Sequence, residues 1–103
     1  MTRNTFKNRI NKILSDKSKG IFSDDYWKPI YGIWDALNAA GYHVNQMGSQ
    51  YGDRNDNGVA TSKTWEFEIE MEKGKPLYGV IVAFGCGSVD DPLSSYDIVA
   101  YCS

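Results

Sequence analysis

Two cysteines, one histidine and no long apolar run set the first limits on this 103-residue chain. Cys86 and Cys102 are too few for a disulfide framework, so reduced thiols in a cytoplasmic setting are expected. Only a Cys86–Cys102 bridge, or a leader already removed, would defeat that expectation. His43 is the sole histidine, so Cys86–His43 is the one cysteine–histidine pair open to a thiol-dependent enzyme. No apolar stretch approaches the ~18 residues that a membrane-spanning helix needs. No apolar segment follows Arg3, so no secretory leader is expected. The chain also lacks a metal-ligand cluster, a complete phosphate loop, a coenzyme fingerprint and a paired-carboxylate motif. No cofactor is expected, and an enzyme is the weaker reading.

What is present is enough for a core. Hydrophobic residues make up 42% of the chain and aromatics 14%, which argues against wholesale disorder. The length fits one small soluble domain, residues 1–103. Net charge is −2, but unevenly spread. Residues 1–20 hold six basic groups (Arg3, Lys7, Arg9, Lys12, Lys17, Lys19) against Asp16 alone, and the remainder holds five basic and twelve acidic groups. The expected explanation is internal, a basic helix docked near an acidic body.

Phe6, Ile10, Ile13 and Leu14 fall on one helical face and predict a helix over 4–17. A second helix is predicted over 24–40, with Ser23, Asp24 and Asp25 as cap candidates and Pro29 in its first turn. Gly41, followed by Tyr42, reads as its C-terminal cap. A short strand is expected over 42–47, then a glycine-rich polar loop over 48–62.

Strict alternation of Trp65, Phe67, Ile69 and Met71 with Glu66, Glu68, Glu70 and Glu72 predicts a half-buried strand over 63–72. The apolar run 77–84 predicts a more central neighbour. A two-residue turn at Lys73-Gly74 would pair Ile69 with Tyr78, Phe67 with Val80 and Trp65 with Val82 on the buried side. Gly79, Ile81 and Ala83 would then share the outer face with the glutamates. After a loop at 85–95, residues 96–102 give a last strand. Helices first and strands after predict an α+β fold in the order α-α-β-β-β-β, two helices on one face of a 3–4-stranded antiparallel sheet.

Several residue groups invite chemistry. Asp53, Asn55 and Asn57, with Gly58, match the first half of a calcium loop, in which alternate oxygens surround a hard cation. Thr64 stands where the bidentate glutamate belongs, so no calcium site is expected there. Gly85 and Gly87 around Cys86 could hold an anion, but no lysine or helix completes a phosphate loop. Asp90-Asp91-Pro92 reads as a turn. The glutamates 66, 68, 70 and 72 form the most unusual surface feature. Alternate strand residues stand ~6.7 Å apart, half the linear charge density of a DNA strand's ~3.4 Å phosphate spacing, so nucleic-acid mimicry is not demanded. Tyr51, placed in the polar loop, is a candidate for an exposed contact.

The function expected from these features is a non-enzymatic protein-binding module, an inhibitor, adaptor or accessory factor. Small single-domain proteins of phages and mobile elements often have this character. Its contact would be the acidic sheet face or the 48–62 loop, and its partner a protein with a basic surface rather than a membrane or nucleic acid. The alternatives are a small-ligand or metal-binding domain using the 48–62 and 85–95 loops, and a small enzyme using Cys86 and His43.

Overall fold

The computed structural model describes residues 2–19, 21–22, 27–72 and 74–102. They form α1 (Arg3–Lys17), β1 (Ile21–Phe22), α2 (Trp27–Ala39), β2 (Val44–Tyr51), β3 (Ser62–Ile69), β4 (Leu77–Gly85), a 3-10 turn (Pro92–Ser94) and β5 (Tyr96–Cys102). The expected α+β architecture holds, two helices on an antiparallel sheet of the four expected strands. The two-residue β1 adds a fifth, giving the order β1-β5-β4-β3-β2.

Helix α1 forms where its apolar spacing places it. Ile10 and Leu14 are fully buried, and Phe6 and Ile13 pack against the same cluster. The Thr2 Oγ1 accepts a hydrogen bond from the Thr5 N–H at 3.2 Å, which satisfies one of the orphan donors of the first turn. In α2, Ile30, Ile33 and Leu37 point into that cluster. The expected cap residues Ser23, Asp24 and Asp25 lie outside the described residues. At its other end the Gly41 N–H bonds Asn38 O and the Tyr42 N–H bonds Leu37 O, both at 3.0 Å, with Gly41 at φ +90°. This paired closure needs a left-handed residue, which glycine supplies without steric cost. Tyr42 then meets Phe6 edge-on, ring centroids 4.8 Å apart, and ties the exit of α2 to α1.

The sheet contributes Trp65, Phe67, Ile69, Leu77, Ile81, Ala83, Tyr96 and Ile98 to the same core. The principal extents are 47 × 22 × 18 Å. The shortest accommodates one helix layer of ~10 Å on one sheet layer. The opposite sheet face is therefore uncovered by the described helices.

Two expectations on the sheet are corrected. Strand β2 runs to Tyr51, so the expected long loop shrinks to 52–61, and that segment folds back on itself through an Arg54–Ala60 bridge. The second correction concerns register. Ile69 pairs with Leu77, Phe67 with Gly79 and Trp65 with Ile81, one residue off the expected pairing. The cause is the connection. Strand β3 stops at Ile69, and the Glu70 N–H turns to His43 O at 3.0 Å. The odd-length connection 70–76 replaces the two-residue turn. A one-residue slip moves every side chain of β4 to the other face. Gly79, Ile81 and Ala83 thus point into the core, and Tyr78, Val80, Val82 and Phe84 point out. The slip also suits the packing, because the Phe67 ring occupies the space that a side chain at position 79 would need.

Among the described residues, the side of β5 away from β4 pairs only with the short β1, and the rest of that side is guarded. Beyond the two residues paired with β1, the Asn11 side chain takes the place of a neighbouring strand. Its Oδ1 accepts from the Cys102 N–H at 2.8 Å, and its Nδ2 donates to Cys102 O at 3.4 Å. The Asp97 carboxylate accepts from the Ile98 N–H at 3.0 Å. Such measures blunt an edge that would otherwise template further strands.

Candidate functional site

The outer face of the sheet is built by β3, β4 and β5. The register sets three rows across it: Glu66–Val80–Tyr101, Thr64–Val82–Val99 and Ser62–Phe84–Asp97, with Glu68 beside Tyr78. The central strand is paired on both sides from Gly79 to Phe84, so its backbone is satisfied and its outward side chains form the surface. Tyr78 is 37% exposed, Phe84 48%, Val99 46% and Tyr101 51%. Glu66 and Glu68 edge this patch on one side, and Asp97 stands at its far corner. Among the described residues no outward position of β2, β3, β4 or β5 is basic.

The glutamate stripe is shorter than the sequence implies. Glu66 and Glu68 stand on the pleat of β3. Glu70 lies past its end, where its Oε1 accepts from Asn45 Nδ2 at 3.2 Å and sits 3.8 Å from His43 Nε2. Both partners of that last contact are exposed, so it contributes little. Glu72 is in the connection. What replaces the missing acids on the outer face is aromatic and aliphatic surface.

Charge and aromatic surface are linked directly. The Glu66 carboxylate accepts a hydrogen bond from the Tyr78 hydroxyl, which pushes the Tyr78 pKa above its ordinary value. Partial desolvation and the negative charges of Glu66 and ionised Tyr101 add to the shift. A raised phenol pKa means that the folded state holds this proton more tightly. The stabilising contribution is present below the ordinary tyrosine range near pH ~10 and is lost as pH rises through the folded value. Glu66→Gln should therefore move one tyrosine's ionisation, followed by ultraviolet difference absorbance, to lower pH. Tyr78→Phe should remove the same transition. Superimposable titrations of wild type and Glu66→Gln would show that the contact does not exist in solution.

The other candidates are placed as follows. Tyr51 is in β2, opposite Lys63, whose Nζ lies 4.7 Å from the Tyr51 ring centre and 5.4 Å from that of Trp65. It shares the Trp65 side of the sheet, so Tyr51 and the glutamates do not belong to one contact surface. The Asp53–Gly58 half-motif builds a hairpin tip. The Asn55 Oδ1 accepts from the N–H groups of Asn57 and Val59 at 3.0 and 3.1 Å. Asp53 O accepts from the Thr61 N–H at 2.8 Å and from Thr61 Oγ1 at 3.1 Å. Those oxygens are spent on the turn itself. Among the described residues no three His, Cys, Asp or Glu side chains gather as a metal site.

Cys86 and His43 stand at opposite ends of the sheet. Cys86 follows β4 where it pairs with the start of β3, and His43 bonds Glu70 beyond the end of β3. Eight β3 residues, ~26 Å of strand, separate them. The Cys86–His43 pair on which the enzyme alternative depended does not form. Cys86 and Cys102 are likewise at opposite ends of β5, so both thiols are free, Cys86 exposed and Cys102 buried. Burial pushes the Cys102 thiol pKa up, with Lys7 offsetting part of the effect. The loops at 48–62 and 85–95 do meet, through Asn55 Nδ2 donating to Val89 O at 2.9 Å and the Gly85 N–H donating to Thr61 O at 2.7 Å. Between them lies an open cleft of about 390 Å³ edged by Asn57, Ser88 and Pro92. No helix among the described residues is long and apolar enough to cross a membrane.

Sequence reasoning missed Tyr78, Val80, Val82, Phe84, Val99 and Tyr101 as a surface. Compared with known proteins, the chain matches no family model, no curated protein and no solved structure.

Proposed function

We propose that this chain is a protein-binding module that engages its partner with the outer sheet face. The observation that supports this reading is the uncovered patch of Tyr78, Val80, Val82, Phe84, Val99 and Tyr101, bordered by Glu66, Glu68 and Asp97. Contiguous apolar surface with a polar border is unusual on a lone chain and marks interaction sites. Tyrosine and phenylalanine are enriched at such contacts, where they bury large area at low entropic cost. The acidic border favours a partner whose own margin is basic. That charge pattern speeds encounter and rejects acidic competitors.

The test starts from a partner captured by the wild-type chain in its native host and identified by mass spectrometry. Val99→Asp and Tyr101→Asp should each weaken that partner's binding at least about tenfold, since a charge placed within a desolvated apolar contact costs upwards of ~1.4 kcal/mol. Tyr51→Asp, on the other side of the sheet, should leave binding unchanged. Glu66→Gln, Glu68→Gln and Glu70→Gln together should slow association, and added salt should weaken the wild-type complex. Full binding by both outer-face aspartate variants, with their circular dichroism unchanged, would remove this face from consideration.

A further inference from the structure

We infer that the outer face receives one amphipathic α-helix of the partner, lying along β4 with lysine or arginine over Glu66 and Glu68. This rests on the binding role proposed for that face and adds what occupies it. Three observations select a helix. The first is backbone satisfaction. From Gly79 to Phe84, β4 is paired on both sides, so the face offers no free N–H or C=O to an extended peptide. An occupant must satisfy its own backbone, as a helix does.

The second is width. Among the outward residues in register, the exposed apolar side chains stand on β4 and β5, while Met47, 52% exposed, lies at the β2 bulge outside the register. On β3 the outward residues are Ser62, Thr64, Glu66 and Glu68, and on β2 they are Asn45, Gly48 and Gln50. Strands are ~4.8 Å apart, so the track from the β3 glutamates to the β5 side chains is ~10 Å wide. That is the diameter of one helix and too narrow for a packed second sheet. Along β4, Tyr78 to Phe84 spans ~20 Å, which a helix of ~13 residues covers.

The third is charge. Acidic residues border the track and no outward position is basic, so a second copy docking by the same face would set Glu66, Glu68 and Asp97 against their own kind. A helix with an apolar stripe and a basic flank meets both parts of the surface. The chain's own α1 and α2 already pack on the opposite face of the same sheet, so the partner would complete a three-layer sandwich.

The test uses the full chain, labelled with nitrogen-15, and three synthetic 18-residue peptides. One has leucines at helical spacing flanked by lysines. The second has the same composition scrambled to break the stripe. The third alternates lysine and valine to favour a strand. The helical peptide should shift the amides of 78–84 and 97–101, bind at least about tenfold more tightly than the scrambled one, and lose about tenfold in affinity in Glu66→Gln/Glu68→Gln or at high salt. Val82→Asp should abolish the shifts. Tyr101→Lys, a change at an exposed strand position, serves where Val82→Asp does not fold.

Shifts at those amides with the strand peptide but not the helical one would overturn the helix while leaving the face intact. Shifts that grow with protein concentration alone would assign the face to a second copy and overturn the inference. Binding of the helical peptide indifferent to salt and to both glutamines would also overturn it. No response of the outer face to any peptide at millimolar concentration would count against both the helix and the binding role of this face.

Discussion

Gly79→Val should destabilise the fold by about 2–3 kcal/mol in urea or thermal denaturation, a large share of the 5–15 kcal/mol that holds a typical domain together. Gly79 faces the core, and a Cβ built there overlaps the fully buried Phe67 ring. The ring sits within close-packed side chains and cannot swing aside without moving them. The substitution also tests the register itself. Were β4 shifted by one residue, Gly79 would lie on the solvent side, and valine there would gain up to ~1 kcal/mol from its strand preference. The two registers thus predict effects of opposite sign. Phe67→Leu combined with Gly79→Ala should lose less than the sum of the single changes, because the smaller side chain vacates the space.

Asn11→Ala should cost about 1–3 kcal/mol, the next largest effect, and raise the tendency to self-associate. The substitution strips partners from the N–H and C=O of Cys102, which Asn11 satisfies across 91 residues of sequence. A half-buried backbone group left unpaired loses its contact and regains little from water. The free side of β5 is then open to another chain. Urea denaturation and size-exclusion chromatography against protein concentration measure the two parts. Asn8→Ala, at an exposed position of the same helix, should stay within ~0.5 kcal/mol of wild type. Equal stability of Asn11→Ala and Asn8→Ala would show that the side chain does not serve β5.

The elements that the sequence revealed best are those with one strong period. Phe6, Ile10 and Leu14 fix the buried side of α1, and Trp65, Phe67 and Ile69 fix that of β3. The α2 exit was legible from Gly41 alone, since few other residues accept that backbone conformation. Strand β4 was misread for a physical reason. Its sequence is apolar at nearly every position, so alternation cannot say which set faces the helices. The decision passed to the connection, and a difference of one residue there inverted the surface.

Two further signals belong to local structure. Asp53, Asn55 and Asn57 match the spacing of a cation loop, but Asn55 Oδ1 is spent on the hairpin tip, where Asp53 takes part through its backbone carbonyl and Asn57 through its N–H. Tyr51 reads as part of a polar loop because Gly48 and Gly52 flank a strand that its pairing with β3 and the Lys63 contact hold in place. The binding surface proposed above was least legible, because it arises only when side chains from β3, β4 and β5 are set side by side.

The position of β5 bears on the order of folding. β5 follows β4 along the chain yet lies between β4 and β1 in the sheet. β2, β3 and β4 can pair as a meander of neighbours in sequence, whereas β1 and α1 take their contacts from β5, at Tyr96, Asp97 and Cys102. Until β5 docks, the chain displays the apolar side of α1 and an open β4 edge together, the combination that chaperones shield and that aggregates form from. Docking of β5 covers both at once, and it joins Asn11 to Cys102 across 91 residues, a closure of the kind that slows folding.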